Sequence, residues 1–514
     1  MQPSEHVIAH DVGTSGLKTA LVNVRGEILA SHTTPYPSVL PQPGWFEQDP
    51  ADYWKAAVTN TRHVLQESGI NRDTVIGMAF STQAQGIIAV DAAGQVLHPN
   101  IAWVDSRAEE QAVALMRLVG GRAIFRSIIG IEISGKDCVP KLKWLMRHRP
   151  EVYRAMEHVL DVNGYLKFRA TGRRVTEWSG ACSYAFNLKK KDWDRILFRV
   201  VGFDLHKLPP LVRSIDRVGT LTPEAAREME LPTTVAVYGG CDDTQSAALG
   251  TGSTGEGAAH IYLGSSAWAG VTTRRPLKHR HGAVCLQSGD PAMNLVVGIT
   301  ESAGSNLSWF LDRFYPVERA DPATAGIQQL INQELAKVPP GSDHLLFTPW
   351  LMGERCPVTT TTARGTIFNI GLEHGRAHVL RALLEGIGLN LRWTLEQFGA
   401  DFGFPAATLR ATGGGATNDL WLQGIADITG RAVAAVEQPL FSGTLGAAAC
   451  VLVGSGRFNS FDALDQLVRV RRTFQPNPDL KPMFDERFAA YREVYHGLAK
   501  AYRLANHKRF SNYR

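Results

Sequence analysis

Apolar residues run from Val7 to Ala9 and resume at Val12, with Asp11 between them. Gly13-Thr14-Ser15-Gly16 interrupts the run, and Leu17 to Val22 continues it with Lys18 inside. Apolar runs of this length bounded by glycine predict two strands joined by a tight turn. Arg25-Gly26 makes a second turn, and Glu27 to Ser31 reads as a third strand. Trp54, Val58 and Leu65 share one face of a helix predicted over 51–69. Strands follow at 75–80 and 86–90 around a polar loop, then a helix from Pro140 to His148. Thr234 to Gly239 reads as a strand leading into Gly240-Cys241-Asp242-Asp243, with a helix over 244–249. The second half then restarts like the first: a strand over 258–263, the turn Gly264-Ser265-Ser266, a strand over 267–272. Helices are predicted over 302–313, 376–398 and, after Gly413-Gly414-Gly415, over 418–429. A last amphipathic helix spans 483–501.

The echo between the two openings predicts two related α/β lobes, each offering a turn to a shared cleft. The polar, glycine-rich segment Gly250 to Gly257 is the expected boundary, giving lobes of 1–249 and 250–514, with the last helix free to pack back on the first lobe. This segment also matches GxGxxG. It follows an alanine-rich helical stretch and not a strand, so a hinge or plain loop is the better reading than a dinucleotide loop, and a dehydrogenase is disfavoured.

Composition narrows the class. A chain of 514 residues with 44% hydrophobic and 20% charged residues has the material for more than one buried core. The net charge of +5 is mild and scattered; the nearest thing to a basic patch is Lys508-Arg509. No nucleic-acid stripe is expected. Six well-separated cysteines without a CxxC pattern, no signal-peptide pattern and no bilayer-length apolar run predict a cytoplasmic protein without a membrane partner.

Two local features carry chemistry. Small residues in the first turn leave backbone N–H groups open to an anion, and Thr14 and Ser15 add hydroxyls. Asp11, ending the first strand, is placed to hold hydrated Mg²⁺ beside a phosphate. An ordinary hairpin explains the same residues when they are taken alone. The stretch is not a P-loop, because GxxxxGK[ST] is absent and a strand follows the turn.

Assembled in order, the motifs resemble the FGGY carbohydrate kinases, and among them the xylulose kinase-like branch. The resemblance covers nearly the whole chain. Its elements are Asp11-Val12-Gly13-Thr14-Ser15-Gly16 with Lys18, Gly44 to Pro50 with Trp54, and Trp103-Val104-Asp105-Ser106-Arg107. Pro140-Lys141-Leu142-Lys143-Trp144-Leu145, Leu263-Gly264-Ser265-Ser266, Gly353-Glu354-Arg355-Cys356-Pro357, Thr412 to Ala416 with Asn418, and Ser442 to Ala448 complete it. Three departures stand out. Cys138 replaces the family's Pro, Ser or Thr. The later signature around Gly371-Leu372 and 378–385 is shortened. Ala84-Gln85 stands where xylulose kinases carry a Met-His pair that touches the sugar.

The resemblance implies two ribonuclease H-like lobes of the actin/hexokinase type flanking a central cleft. It implies ATP and Mg²⁺, and transfer of the γ-phosphoryl group to a small linear sugar. D-xylulose, giving D-xylulose 5-phosphate, is the leading expectation; gluconate, erythritol or another pentulose are alternatives, and a homodimer is left open. A reading of another class is a non-catalytic nucleotide-dependent clamp on the same scaffold. Phosphoryl transfer to an alcohol needs a carboxylate to take the hydroxyl proton, and Asp242 and Asp243 compete for that role. The ungapped register from Ala247-Ala248-Leu249-Gly250 favours Asp243, which is also assigned with Asp11 to the metal; an N-cap role is the structural alternative for either acid. Gly13, Thr14, Ser15, Lys18, Gly264 and Ser265 are expected at the phosphates, and Gly414, Gly415 and Asn418 at adenosine. Gln83, Ala84, Gln85, Trp103, Asp105, Asp243 and Thr244 are expected at the sugar. Gln85 leads because an amide both donates and accepts. Lys18 could equally be a solvated strand lysine, and Asp105 could simply pair with Arg107.

Overall fold

The computed structural model describes residues 5–118, 120–122, 124–125, 133–320, 326–404, 408–466 and 468–506. The Lys508-Arg509 pair lies outside the described residues. The first half is built on β1 (His6–Val12), β2 (Gly16–Asn23), β3 (Ile28–Pro35), β4 (Val75–Thr82), β5 (Arg217–Thr220) and β6 (Ala236–Tyr238). Their order across the sheet is β5-β6-β4-β1-β2-β3, and Cys241–Asp242 adds a short pairing on β4. The second half is built on β7 (Ala259–Leu263), β8 (Ala267–Thr273), β9 (Val284–Gln287), β10 (Asn294–Thr300), β11 (Thr408–Thr412), β12 (Ala432–Val436) and β13 (Val470–Phe474). Their order is β9-β10-β8-β7-β11-β12-β13. The two sheets repeat one plan. A meander (β1-β2-β3; β7-β8-β10) is antiparallel, its first strand pairs parallel with β4 or β11, and an antiparallel edge closes the far side.

The helices follow from local rules. Helix α1 (Pro50–Ser68) starts where the Asp49 side chain accepts from Ala51 N and ends at Gly69, whose left-handed φ of 62° only glycine adopts cheaply. Helices α2 (Cys138–His148), α3 (Asp243–Gly250), α4 (Gly304–Phe314), α5 (Arg376–Phe402), α6 (Asp419–Thr429), α7 (Ser442–Gly454) and α8 (Lys481–Asn506) follow. The sequence reading starts α4 at 302. The turn carbonyl of Ser265 accepts from Ala303 N and Ser305 N, and regular helix begins only at Gly304.

The halves exchange helices. Ala247 and Ala248 of α3 pack on Trp268, Leu295 and Val297 of the second half. Ala447, Ala448 and Val451 of α7 pack on Val7, Ala9, Val22 and Ala79 of the first. The two helices cross so closely that a Cβ on Gly250 would collide with the Ser442 carbonyl, and one on Gly446 with the Ser246 carbonyl. Apolar patterning alone does not show this exchange, because both helices are buried nearly all round, α3 with its polar Gln245 and Ser246 included, so neither shows a distinct apolar face.

Two expectations are corrected here. The segment after Gly250 is not solvated throughout: Thr251, Ser253 and Thr254 are buried, and Glu256 is exposed. Thr272 Oγ1 donates to Ser253 O, and Arg410 donates to Thr251 O at 2.7 Å, so tertiary hydrogen bonds override the polar composition. The helix that packs on the first half is α7, not the last one. Phe484, Phe488 and Tyr491 of α8 bury themselves against Trp350, Leu389 and Trp393 of the second half.

Candidate active site

Asp11 stands on the last full turn of the pleat in β1, cross-strand from Lys18 and beside Ser81 of β4. Ser81 Oγ donates to Asp11 Oδ1 at 2.8 Å. The N-terminus of α7 comes down on the same carboxylate: a Cβ on Gly443 would strike its oxygens. A helix N-terminus carries partial positive charge, so it complements the acid. Burial still raises the Asp11 pKa, with the Ser81 bond and Lys18 opposing.

Asp243 opens α3, and Thr244 orients it through N (2.7 Å) and Oγ1 (3.2 Å) onto Oδ1. Burial and the charge of Asp11 push its pKa up to about 6, against the Thr244 hydrogen bonds. A carboxylate poised there is ionised at neutral pH yet takes a proton more readily than an ordinary aspartate. Asp242 Oδ1 lies beside Gly180, 3.7 Å from where a Cβ there would sit. The Asp242 backbone N donates to Ser179 Oγ, and burial beside Asp161, Asp243 and Glu177 holds its pKa well above the usual range. The Asp11 charge is thus felt at Asp243, while the charges felt most at Asp242 are those of Asp161, Asp243 and Glu177.

The first turn is rigid. Gly13 N donates to Gly16 O at 3.0 Å, Gln48 Nε2 donates to Thr14 O at 2.8 Å, and Trp103 Nε1 donates to Thr14 Oγ1 at 2.8 Å. Ser15 is exposed at its tip. Lys18 departs from the expected phosphate role: its ammonium donates to Leu440 O and sits 5.0 Å over the Phe441 ring.

On the side expected for the sugar, Ala84 and Gln85 are half-buried and Gln85 Nε2 donates to Asp137 Oδ1 at 3.2 Å. Gln83 is 2% exposed, with Nε2 on Gln48 Oε1 at 2.9 Å; its Oε1 has no partner among the described residues. Asp105 leaves the sugar surface. It is wholly buried, its oxygens accept from the Arg107 guanidinium and from Phe46 N, and Arg107 lies 3.8 Å over Trp45. This ion pair on aromatic faces holds the Gly44–Pro50 segment in place.

The second turn opens on a cavity of about 900 Å³, lined by Gly264, Ser265, Trp309, Gly414, Gly415 and Trp421 among others. Gly414 has nothing within 4 Å of where a Cβ would sit. The volume suits a nucleotide-sized ligand. Asn418 lines this cavity, but its side chain is committed: Oδ1 caps α6 from Trp421 N, and Nδ2 donates to Gln328 and Asn332. It shapes the wall instead of offering free hydrogen bonds.

Residue-type reasoning missed Tyr262 and Trp309. Tyr262 stacks on Trp268 at 3.8 Å between ring centroids, and the Asp11 and Asp243 charges reinforce burial in raising its pKa. Its ring fills the space beside Gly264, where a Cβ would meet it, within reach of the charges of both acids. The register of the repeat could have found it, since Tyr262 in β7 holds the place that Asp11 holds in β1. Among the described residues, no cluster of three or more His, Cys, Asp or Glu could hold a metal by protein ligands alone, and no helix is long and apolar enough to cross a membrane.

The models of the N-terminal and C-terminal domains of the FGGY family of carbohydrate kinases match residues 6–250 and 259–455. The xylulose kinase of Bacillus subtilis (strain 168) is 30% identical over 494 residues, covering 96% of this chain and 97% of that one. The gluconokinase of the same organism is 27% identical over 469 residues, 90% of each chain. The crystal structure of the xylulose kinase from Rhodospirillum rubrum superposes with a TM-score of 0.87 at 26% identity, covering 97% of this chain and all of that one. The repeated lobes are thus those of actin/hexokinase-like kinases, the non-catalytic clamp is set aside, and the chain belongs to the FGGY family of carbohydrate kinases as an ATP-dependent sugar kinase.

Proposed function

We propose that this kinase phosphorylates a linear pentulose, D-xylulose first, with Asp243 as the base. The observation that carries the reading is Asp243 at the start of α3, oriented by Thr244 and lifted to about 6 by burial and by the Asp11 charge. The sugar hydroxyl gives its proton to an Asp243 carboxylate oxygen as its oxygen bonds to the γ-phosphorus and the bond to ADP breaks. Thr244 keeps Asp243 Oδ1 oriented, and Trp103 holds Thr14 in the first turn. Gly13, Thr14 and Ser15 face the phosphates from one lobe and Gly264 and Ser265 from the other, while Gly414 and Gly415 leave room for adenosine. The division into a sugar side (1–249) and a nucleotide side (250–514) belongs to this proposal, as does a cytoplasmic location.

Mg²⁺ fits the site in one manner. It keeps most of its waters and needs only one or two carboxylates beside substrate phosphates, so the want of a multi-acid cage does not oppose it. Asp11, held by Ser81 and facing the α7 N-terminus, would take it through water, with Asp243 nearby. When bound, Mg²⁺ neutralises charge on the phosphate oxygens.

Gluconate is the second reading, favoured by the gluconokinase relative and by Ala84-Gln85, an open, amide-bearing loop. The test is kcat/KM for D-xylulose, L-xylulose, D-ribulose, D-gluconate and erythritol. D-xylulose should lead. A clear lead for gluconate would overturn the substrate and leave the kinase standing.

A further inference from the structure

A lysine side chain with no exposed surface is rare unless it is fully engaged. Lys141 of α2 is such a residue. Its Nζ donates to Ala102 O at 2.8 Å and to Gln85 O at 3.3 Å. The two carbonyls belong to different loops. One precedes Trp103, the indole that fixes Thr14; the other belongs to Gln85 itself.

Two further observations converge on that point. Gln85 has φ of +59°, the left-handed region that a non-glycine residue enters only when its surroundings hold it there. Asp137 stands at the N-cap of α2 yet makes no side-chain cap bond. Its Oδ1 instead accepts from Gln85 Nε2, and its Oδ2 accepts from Ser134 N. The start of α2 thus gives up its own cap and holds Gln85 by both side chain and backbone.

We propose that Lys141 is a positioning residue: its buried ammonium clamps the Gln85 loop to the Trp103 loop and so sets the shape of the sugar side of the cleft. This rests on the sugar-side assignment made above. The clamp acts through Gln85, so losing it matters only while Gln85 is there to be misplaced. Lys141 touches nothing in the nucleotide cavity, whose lining comes entirely from the second half.

The experiment measures KM for sugar and for ATP in Lys141→Met, Gln85→Ala and the double variant. The sugar is whichever of the five the wild type turns over best. Lys141→Met should raise sugar KM ~10-fold and leave ATP KM within about twofold, since two buried carbonyls lose their donor. Adding Gln85→Ala to Lys141→Met should then cost no more than about twofold further. A wild-type sugar KM in Lys141→Met overturns the clamp, and so do effects that multiply in the double variant or a parallel rise in ATP KM. Should Lys141→Met fail to fold, Lys141→Gln, which keeps one donor, is measured in the same cycle against the same criteria. Wild-type turnover of the panel tests the proposed substrate separately, so a wrong sugar and a wrong clamp give different results.

Discussion

The two sheets share a plan but differ at three matched places. Where β1 carries Asp11, β7 carries Tyr262: each sits one residue before the last in its strand, cross-strand from Lys18 or Trp268. Where β4 is followed by Gln83-Ala84-Gln85, β11 is followed by Gly413-Gly414-Gly415. Where α3 begins with Asp243, α7 begins with Ser442-Gly443. The first half thus concentrates acids and amides. The second replaces them with a ring and with glycines whose missing side chains leave a cavity of about 900 Å³. One scaffold used twice gives a proton acceptor on one side and room for a large ligand on the other. The helix exchange then brings the bare α7 N-terminus onto Asp11.

The strongest way to break this comparison is to remove the acid that only the first half has. Asp243→Asn keeps the volume and loses the base, so sugar phosphorylation should fall ~10²–10⁴-fold while the protein stays folded and still binds a non-hydrolysable ATP analogue. If Asp242→Asn shows that loss and Asp243→Asn does not, the register is off by one residue. Steady-state assays with both variants decide it.

Much of this contrast is legible in the sequence. The turns at 13–16 and 264–266 and the acid at the end of the first strand follow from apolar runs, glycines and spacing, whereas the choice of Asp243 over Asp242 comes from the family resemblance. What escapes is whatever depends on a partner distant in the chain. Asp105 reads equally as a sugar ligand or as a partner of Arg107, and what decides for the pair is distant in the chain: Phe46 N on its carboxylate and Trp45 under the guanidinium. Asn418 reads as an adenosine ligand because Gln328 and Asn332 are some ninety residues away. The polar 250–257 segment reads as flexible and solvated, because the hydrogen bonds of Thr272 and Arg410 that bury its first half leave no mark on its composition.

A smaller change tests the pairing of the two acids. Asp11→Asn should raise the Mg²⁺ concentration needed for half-maximal rate by about 10–100-fold, on the scale of losing an outer-sphere partner. It should also move a pH limb. In the wild type, kcat/KM for sugar should fall as pH drops through about 6, where Asp243 takes a proton before the substrate can give one. The Asp11 charge disfavours a second negative charge beside it. Removing that charge lets Asp243 ionise more easily, so the limb in Asp11→Asn should shift to lower pH. An unmoved limb together with an unchanged Mg²⁺ requirement would take Asp11 out of the site.

The smallest effect is expected at the matched position in the second half. Tyr262 stands in the place of Asp11 and near both acids, so its hydroxyl is close enough to the chemistry to invite a catalytic role. The structure argues for the ring instead. It stacks on Trp268, and its edge fills the space a Gly264 side chain would need, which keeps the second turn bare. Tyr262→Phe retains the ring, the stack and the steric support for Gly264. Its kcat and both KM values should stay within about threefold of wild type, the ~0.6 kcal/mol left when a hydroxyl with little net hydrogen-bonding worth is removed. A loss of a hundredfold in kcat with unchanged KM values would mean that the phenol meets the transferred phosphoryl group. In that case the second half would supply a chemical group after all, and the division between an acid side and an open side would have to be redrawn around the Tyr262 hydroxyl.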